Sequence, residues 1–135
     1  MPDKLSFGKT FYALEKAISI AQQRNTVITS NISNLDTPGY KSKDINFKSE
    51  LARALETNPQ KDLARTDPRH INMQMNGDQM LETYEVQGEW NGYNWADIDS
   101  EMTKLTENNL VYRTAVEALL RKMALLKEVV RSGGQ

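Results

Sequence analysis

ISNLDTPGYKSKD, residues 32–44, decides how this chain is laid out. A long amphipathic helix runs into it, and no comparable helix returns until the last third of the chain. Pro38 disfavours helical geometry at Thr37 and has no backbone N–H to donate, so the helix must stop near Leu35. Gly39 tolerates a left-handed backbone, and Pro-Gly is a strong turn dipeptide. The stretch therefore ends a helix abruptly and redirects the chain in a defined way. Asn31 and Asn34 are placed to bond the last helical carbonyls or a neighbouring chain's backbone. A generic helix stop accounts for Pro38 and Gly39 but not for the whole string.

Upstream, Phe7, Phe11, Leu14, Ile18, Ala21, Asn25, Ile28, Ile32 and Leu35 follow alternating spacings of four and three. Only Asn25 among them is polar, so they form a heptad seam. Ile98, Met102, Leu105, Asn109, Tyr112, Val116, Leu119, Met123, Leu126 and Val130 repeat the rhythm, again interrupted by one asparagine. Asp97, Asp99 and Glu101 stand near the start of this second helix, and Arg121, Lys122, Lys127 and Arg131 toward its end, which suits the helix dipole. Ser132-Gly133-Gly134 supplies the stop. At ~1.5 Å per residue the seams are roughly 43 and 50 Å long, matched for side-by-side packing. Asn25 and Asn109 admit two readings: devices that set register, or side chains facing solvent at a wider part of the bundle.

Each helix carries a second apolar line: Ala13, Ile20 and Val27 on the first, Val111, Ala118 and Leu125 on the last. These positions lie roughly 130° from the middle of the first seam, at about 100° of rotation per residue. Heptads alone more often mean an ordinary helical hairpin or coiled-coil dimer. A hairpin, however, leaves the second line in water, and helices apolar on two sides are usually buried on two sides. This doubling shifts the reading toward a protein that works inside an assembly.

The middle, residues 41–96, differs in composition. Phe47, Leu51 and Leu55 predict a short helix ended by Thr57-Asn58-Pro59. Polar, turn-rich sequence follows, with a brief alternation at Ile71, Met73 and Met75. Gly88, Asn91-Gly92, Trp90, Tyr93 and Trp95 read as turns or short extended pieces, with room for strand pairing. The expected layout is one mainly α domain in three parts: 1–40, a heptad helix with its TPGY signature; 41–96, an irregular segment; 97–135, a second heptad helix.

The bulk numbers restrict function. The chain has 135 residues, 17 basic and 18 acidic, and 39% apolar residues. Near-neutral charge gives no electrostatic case for nucleic acid or an anionic membrane. With no cysteine there are no disulfides or thiolate metal sites. No stretch approaches the ~20 apolar residues of a membrane span. The N-terminal sequence lacks the apolar run of a secretory signal, so the expected location is cytosolic unless a leaderless route exports the chain. His70, the only histidine, has Asp67 nearby but no third ligand at useful spacing; TDPRH reads better as an Asp-Pro turn. No glycine-rich phosphate loop, nucleophile elbow or carboxylate pair is present. Hence the expectation is no cofactor, no metal, no catalytic residue and no small-molecule substrate.

TSNISNLDTPGYK resembles the N-terminal signature of bacterial flagellar axial proteins, the rod, hook and hook-associated proteins, at Asn31, Ile32, Asn34, Thr37, Pro38, Gly39, Tyr40 and Lys41. Ser30 and Ser33 stand where that pattern often has Asn or Ala. KSKDINF after the signature, TDPRHI at 66–71, NGYNWADIDSEM at 91–102 and TENNLVYRTAVEALLRKM are most similar to the FlgB family of proximal-rod proteins; residues 72–90 match nothing in it. The resemblance implies terminal helices paired as a coiled coil, many copies building a helical drive shaft, and export by the flagellar type III apparatus without cleavage of a signal. It implies a place in the rod of the basal body on the periplasmic side. The implied partners are further copies, FlgC- and FlgF-type rod proteins, the FliE junction and the MS-ring. The alternatives are another axial rod or hook component, or a cytosolic coiled-coil adaptor or export chaperone, which leaves TPGYK without a reason.

Overall fold

The computed structural model of the chain describes residues 4–56 and 81–133, and side chains from residue 7 onward. The Thr57-Asn58-Pro59 stop, the alternation at Ile71, Met73 and Met75, TDPRHI with His70 and Asp67, and part of the 72–90 stretch lie outside the described residues. Element order is α1 (Lys4–Ser33), β1 (Lys43–Ile45), α2 (Phe47–Glu56), β2 (Thr83–Glu85) and α3 (Ile98–Ser132). The architecture is mainly α, built on the two long terminal helices, with short strands between them.

Helix α1 ends at Ser33, and its last turn tightens as the Leu35 amide donates to the Ile32 carbonyl. Helix α3 starts on Asp97, whose carboxylate accepts from the amides of Asp99 (3.4 Å) and Ser100 (3.1 Å). It ends at Gly133, whose amide reaches the Val129 carbonyl. The two helices run antiparallel: Asn31 meets Glu101, Asn108 meets the Ala21 carbonyl, and the Lys122 ammonium sits 4.2 Å over the Phe7 ring. Strands β1 and β2 pair antiparallel with Lys43 opposite Glu85, Asp44 opposite Tyr84 and Ile45 opposite Thr83. The Asn46 carboxamide caps α2 by accepting from the Ser49 amide. Gly39 takes φ +70°, the left-handed geometry its turn demands.

The face α1 turns inward runs through Ala17, Ile20, Ala21, Ile28 and Asn31. On α3 it runs through Glu101, Asn108 and Ala115, with Leu105, Tyr112, Val116 and Leu119 half-buried beside them. Alanines at Ala17, Ala21 and Ala115 let the helices approach closely, and three of the inward positions are polar. The two apolar lines are therefore divided differently from their order in the sequence. Ile20, from the second line, is 3% exposed, while Leu125, its counterpart on α3, is 66% exposed. Ala13, Val27, Val111 and Ala118 are half-buried. From the first seam, Phe7, Phe11, Leu14, Ile18, Ile32 and Leu35 are half-buried and Ile28 is buried, whereas Ile98, Met102, Met123, Leu126 and Val130 face outward. Asn25 is half-buried and Asn109 exposed; the asparagine held between the helices is Asn108.

Glycine is required at Gly88 by close approach, since a Cβ there would overlap the Trp95 carbonyl oxygen. Gly8, inside α1, has open space around it. Gly88→Ala is expected to destabilise the chain by about 1–3 kcal/mol. Gly8→Ala should instead stabilise it by about 0.5–1 kcal/mol, because it removes backbone freedom from a helix interior. Urea unfolding of both variants checks the opposite signs.

Candidate functional site

Where α1 ends, β1 begins and α3 starts, one side chain ties the three together. Asn31, fully buried, donates from Nδ2 to the Lys43 carbonyl oxygen (2.6 Å) and to Glu101 Oε2 (2.8 Å). Its Oδ1 accepts from the Tyr40 hydroxyl (3.0 Å) and the Lys43 amide (3.0 Å). Both donor hydrogens and both acceptor positions of the carboxamide are thus used. Glu101, 1% exposed, receives the Lys104 ammonium on its other oxygen at 2.8 Å, which offsets the cost of burying its charge.

NGYNWA, residues 91–96, closes over the TPGY turn. The Gly39 amide donates to the Tyr93 carbonyl, and the Trp95 amide donates to the Tyr40 carbonyl, each at 3.0 Å. The Tyr93 hydroxyl donates to the Asp36 carbonyl (2.7 Å), and buried Asn94 donates from Nδ2 to the Leu35 carbonyl. The carbonyls that a helix end leaves open are therefore capped from a segment nearly sixty residues away. Within the turn, Thr37 donates to Asn34 Oδ1 and Asn34 Nδ2 donates back to the Ser30 carbonyl. Trp90 and Trp95 pack with ring centroids 4.4 Å apart, and Lys41 reaches both Trp95 and Glu85.

A second tie lies lower on α1. Arg24 holds Asp44 through two parallel bonds, Nε to Oδ1 and Nη2 to Oδ2, each 2.8 Å. Burial pushes the Asp44 carboxyl up, but the Arg24 bonds and the Ile45 amide outweigh it and leave it below the usual carboxylate range. The same hydrogen bonding raises Arg24 above its ordinary value. This arrangement positions backbone and contains no nucleophile–base pair. Among the described residues no group of three or more His, Cys, Asp or Glu side chains could hold a metal, and no helix is long and apolar enough to cross a membrane.

The structure thus brings Asn31, Asn34, Thr37, Gly39 and Tyr40 of the signature into one hydrogen-bonded unit, while Thr37, Pro38, Gly39 and Lys41 stay exposed. Arg24, Asp44, Glu101, Lys104, Asn94 and Asn108 belong to the same framework and were not singled out as site residues by sequence reasoning. A signal for Arg24 alone is present: Ala17, Ala21, Arg24, Ile28 and Asn31 keep heptad spacing, with two polar members where an inward line should be apolar.

Asn31→Asp places a second carboxylate oxygen against Glu101 and the Lys43 carbonyl, and is expected to cost about 3 kcal/mol or more. Asn34→Asp, at the rim, should cost less than half of that; the midpoints of urea unfolding distinguish them. Asp44 has a folded-state pKa below its unfolded value of about 3.8, so its pairing stabilises fully above about pH 4 and fades as pH falls through the folded value. Asp44→Asn should therefore be less stable than the parent by about 2 kcal/mol at about pH 7. The gap should narrow steadily on acidification, which urea unfolding across pH reads directly.

The family model described as flagella basal body rod protein matches residues 11–41, most of α1 through the signature turn. The flagellar basal body rod protein FlgB of Bacillus subtilis is 33% identical over 129 residues, covering 94% of this chain and 97% of that protein. FlgB of Escherichia coli K12 is 32% identical over 140 aligned positions, covering 98% and 99%. FlgB of Aeromonas hydrophila is 30% identical over 128 residues, covering 94% and 96%. With likeness running nearly end to end, through both helices and the segments that clasp them, the chain belongs to the FlgB family of flagellar basal body rod proteins.

Proposed function

We propose that this structural rod subunit polymerises through its terminal helices into the proximal rod, where the packed helices form a stiff shaft that transmits torque. The observation that carries the reading is apolar surface the hairpin does not cover. Leu120 (59% exposed), Leu125 (66%), Val129 (65%) and Val130 (74%) lie on the second half of α3, with Met123 and Leu126 beside them. Contiguous exposed apolar surface marks an interaction site. Each Å2 covered by a neighbour contributes roughly 25 cal/mol toward assembly. The antiparallel register, in which Lys122 already stands over Phe7, leaves the last turns of α3 extending beyond the start of α1. Among the described residues no part of α1 lies alongside those turns, which suits a neighbouring subunit.

The same reading gives the remaining outward members of the first seam, Ile98 and Met102, to contacts with neighbours at the other end of α3. Further copies, other rod proteins of FlgC and FlgF type, the FliE junction and the MS-ring are the partners it implies. The flagellar type III apparatus is the export route, and the periplasmic side of the basal body the location.

Leu125→Asp and Val129→Asp sit on exposed surface and should leave monomer stability within about 0.5 kcal/mol of the parent. Both should be missing from purified basal bodies, and cells relying on either should lack flagella. Ile20→Asp instead puts a charge at a buried position and should unfold the monomer. Normal flagellation with Leu125→Asp and Val129→Asp combined overturns the proposal.

A further inference from the structure

Asn91–Gly92 is one of two Asn-Gly dipeptides in the chain; the other, Asn76–Gly77, lies outside the described residues. Asn followed by Gly is chemically labile, because no side chain obstructs the following amide nitrogen from the Asn carboxamide carbon. Both Asn91 and Gly92 are exposed, so water and hydroxide reach them. Yet the Asn91 carboxamide is held at every polar position. Nδ2 donates to Asn94 Oδ1 (2.9 Å) and to the Ala96 carbonyl (3.2 Å). Oδ1 accepts from the amides of Tyr93 and Asn94, each at 2.9 Å. The Asn91 amide itself donates to the Asn94 carbonyl, closing the loop. These bonds hold the carboxamide in place and oppose the rotation that carries the Asn91 side-chain carbon onto the Gly92 nitrogen.

The loop also bears on the rest of the fold. Asn94, whose Oδ1 takes the Asn91 bond, uses its Nδ2 to cap the Leu35 carbonyl at the end of α1. Its Oδ1 further accepts the Ala96 amide just ahead of the α3 cap. A carboxylate at position 91 carries no donor hydrogen. An oxygen would then face Asn94 Oδ1 and the Ala96 carbonyl, acceptor against acceptor, in the place where Nδ2 now donates.

We propose that Asn91–Gly92 is a fold-gated deamidation site: the closed loop preserves the amide, and conversion in an opened loop irreversibly unlatches residues 91–96 from the end of α1. The Gly92 nitrogen, its proton lost to hydroxide, attacks the Asn91 side-chain carbon. The new C–N bond closes a five-membered succinimide as Nδ2 leaves with a proton from water as ammonia. Water then opens the ring at either carbonyl, giving aspartate or isoaspartate; no oxidant or reductant is involved. The isoaspartate product adds a carbon to the main chain, which the loop's bonding between Asn91 and Asn94 does not accommodate.

The test is peptide mass spectrometry of the full-length chain aged at mildly alkaline pH, with and without urea. In urea, Asn91 and Asn76 should convert at similar rates, set by sequence alone. Without urea, Asn91 should convert more slowly than in urea by about tenfold or more, as expected of a reaction that requires local opening. Equal rates for Asn91 in the two conditions overturn the gate. Asn91→Asp tests the latch: a lower unfolding midpoint and altered emission from Trp90 and Trp95 are expected, and a variant unchanged in both overturns it. The rate comparison uses the unaltered chain and stands even where Asn91→Asp does not fold.

Discussion

One buried carboxamide is the constraint on which the upper half of the molecule depends. Asn31 must find two acceptors and two donors inside the protein, and they come from Lys43, Tyr40 and Glu101. A buried amide with unmet bonds costs free energy, so only arrangements that bring the turn, β1 and the start of α3 together satisfy it. Apolar contacts are less demanding, because they are non-directional and tolerate rotation of a helix about its axis. The polar ties therefore choose among helix pairings that burial alone would leave close in energy.

This division of labour fits a thin core. The buried apolar residues are mostly alanine and isoleucine, and among the largest fully buried side chains are Glu101, Asn31, Asn94 and Asn108. Several of the larger aliphatic residues of α3, Leu110, Leu120, Leu125, Val129 and Val130 among them, lie outside. A chain intended to be complete by itself would reverse that distribution. A rod subunit has reason to hold back apolar surface for neighbours while using hydrogen bonds and ion pairs to keep its own hairpin in register. Asn108 serves this end in the middle of the pair by donating to the Ala21 carbonyl at 2.8 Å.

The signature turn gains a physical explanation from the same network. Pro38 and Gly39 supply the geometry of the redirection, but Asn31, Asn34 and Tyr40 act through partners that are distant in sequence or across the turn. The NGYNWA segment meets TPGY backbone to backbone, and this explains why two motifs separated by some fifty residues belong to one unit. Arg24 and Asp44 add a second fixed point below it, so β1 is held to α1 at two successive residues, Lys43 and Asp44.

The sequence by itself determined the helices and their punctuation, but not the two short strands at Lys43–Ile45 and Thr83–Glu85. Heptad spacing marks α1 and α3, Asp97 and Gly133 bound the second of them, Phe47, Leu51 and Leu55 mark α2, and Pro38-Gly39 makes the turn. These are local consequences of side-chain period and backbone geometry, legible without knowing any neighbour. Only the tertiary structure decided which apolar line of each helix turns inward. A helix apolar on two sides offers two nearly equivalent burials, and hydrogen-bond partners twelve to eighty-seven residues apart broke that tie. Ile20 accordingly went in and Leu125 stayed out, because directional bonds between distant polar groups, unlike hydrophobic period, depend on partners that local sequence does not name.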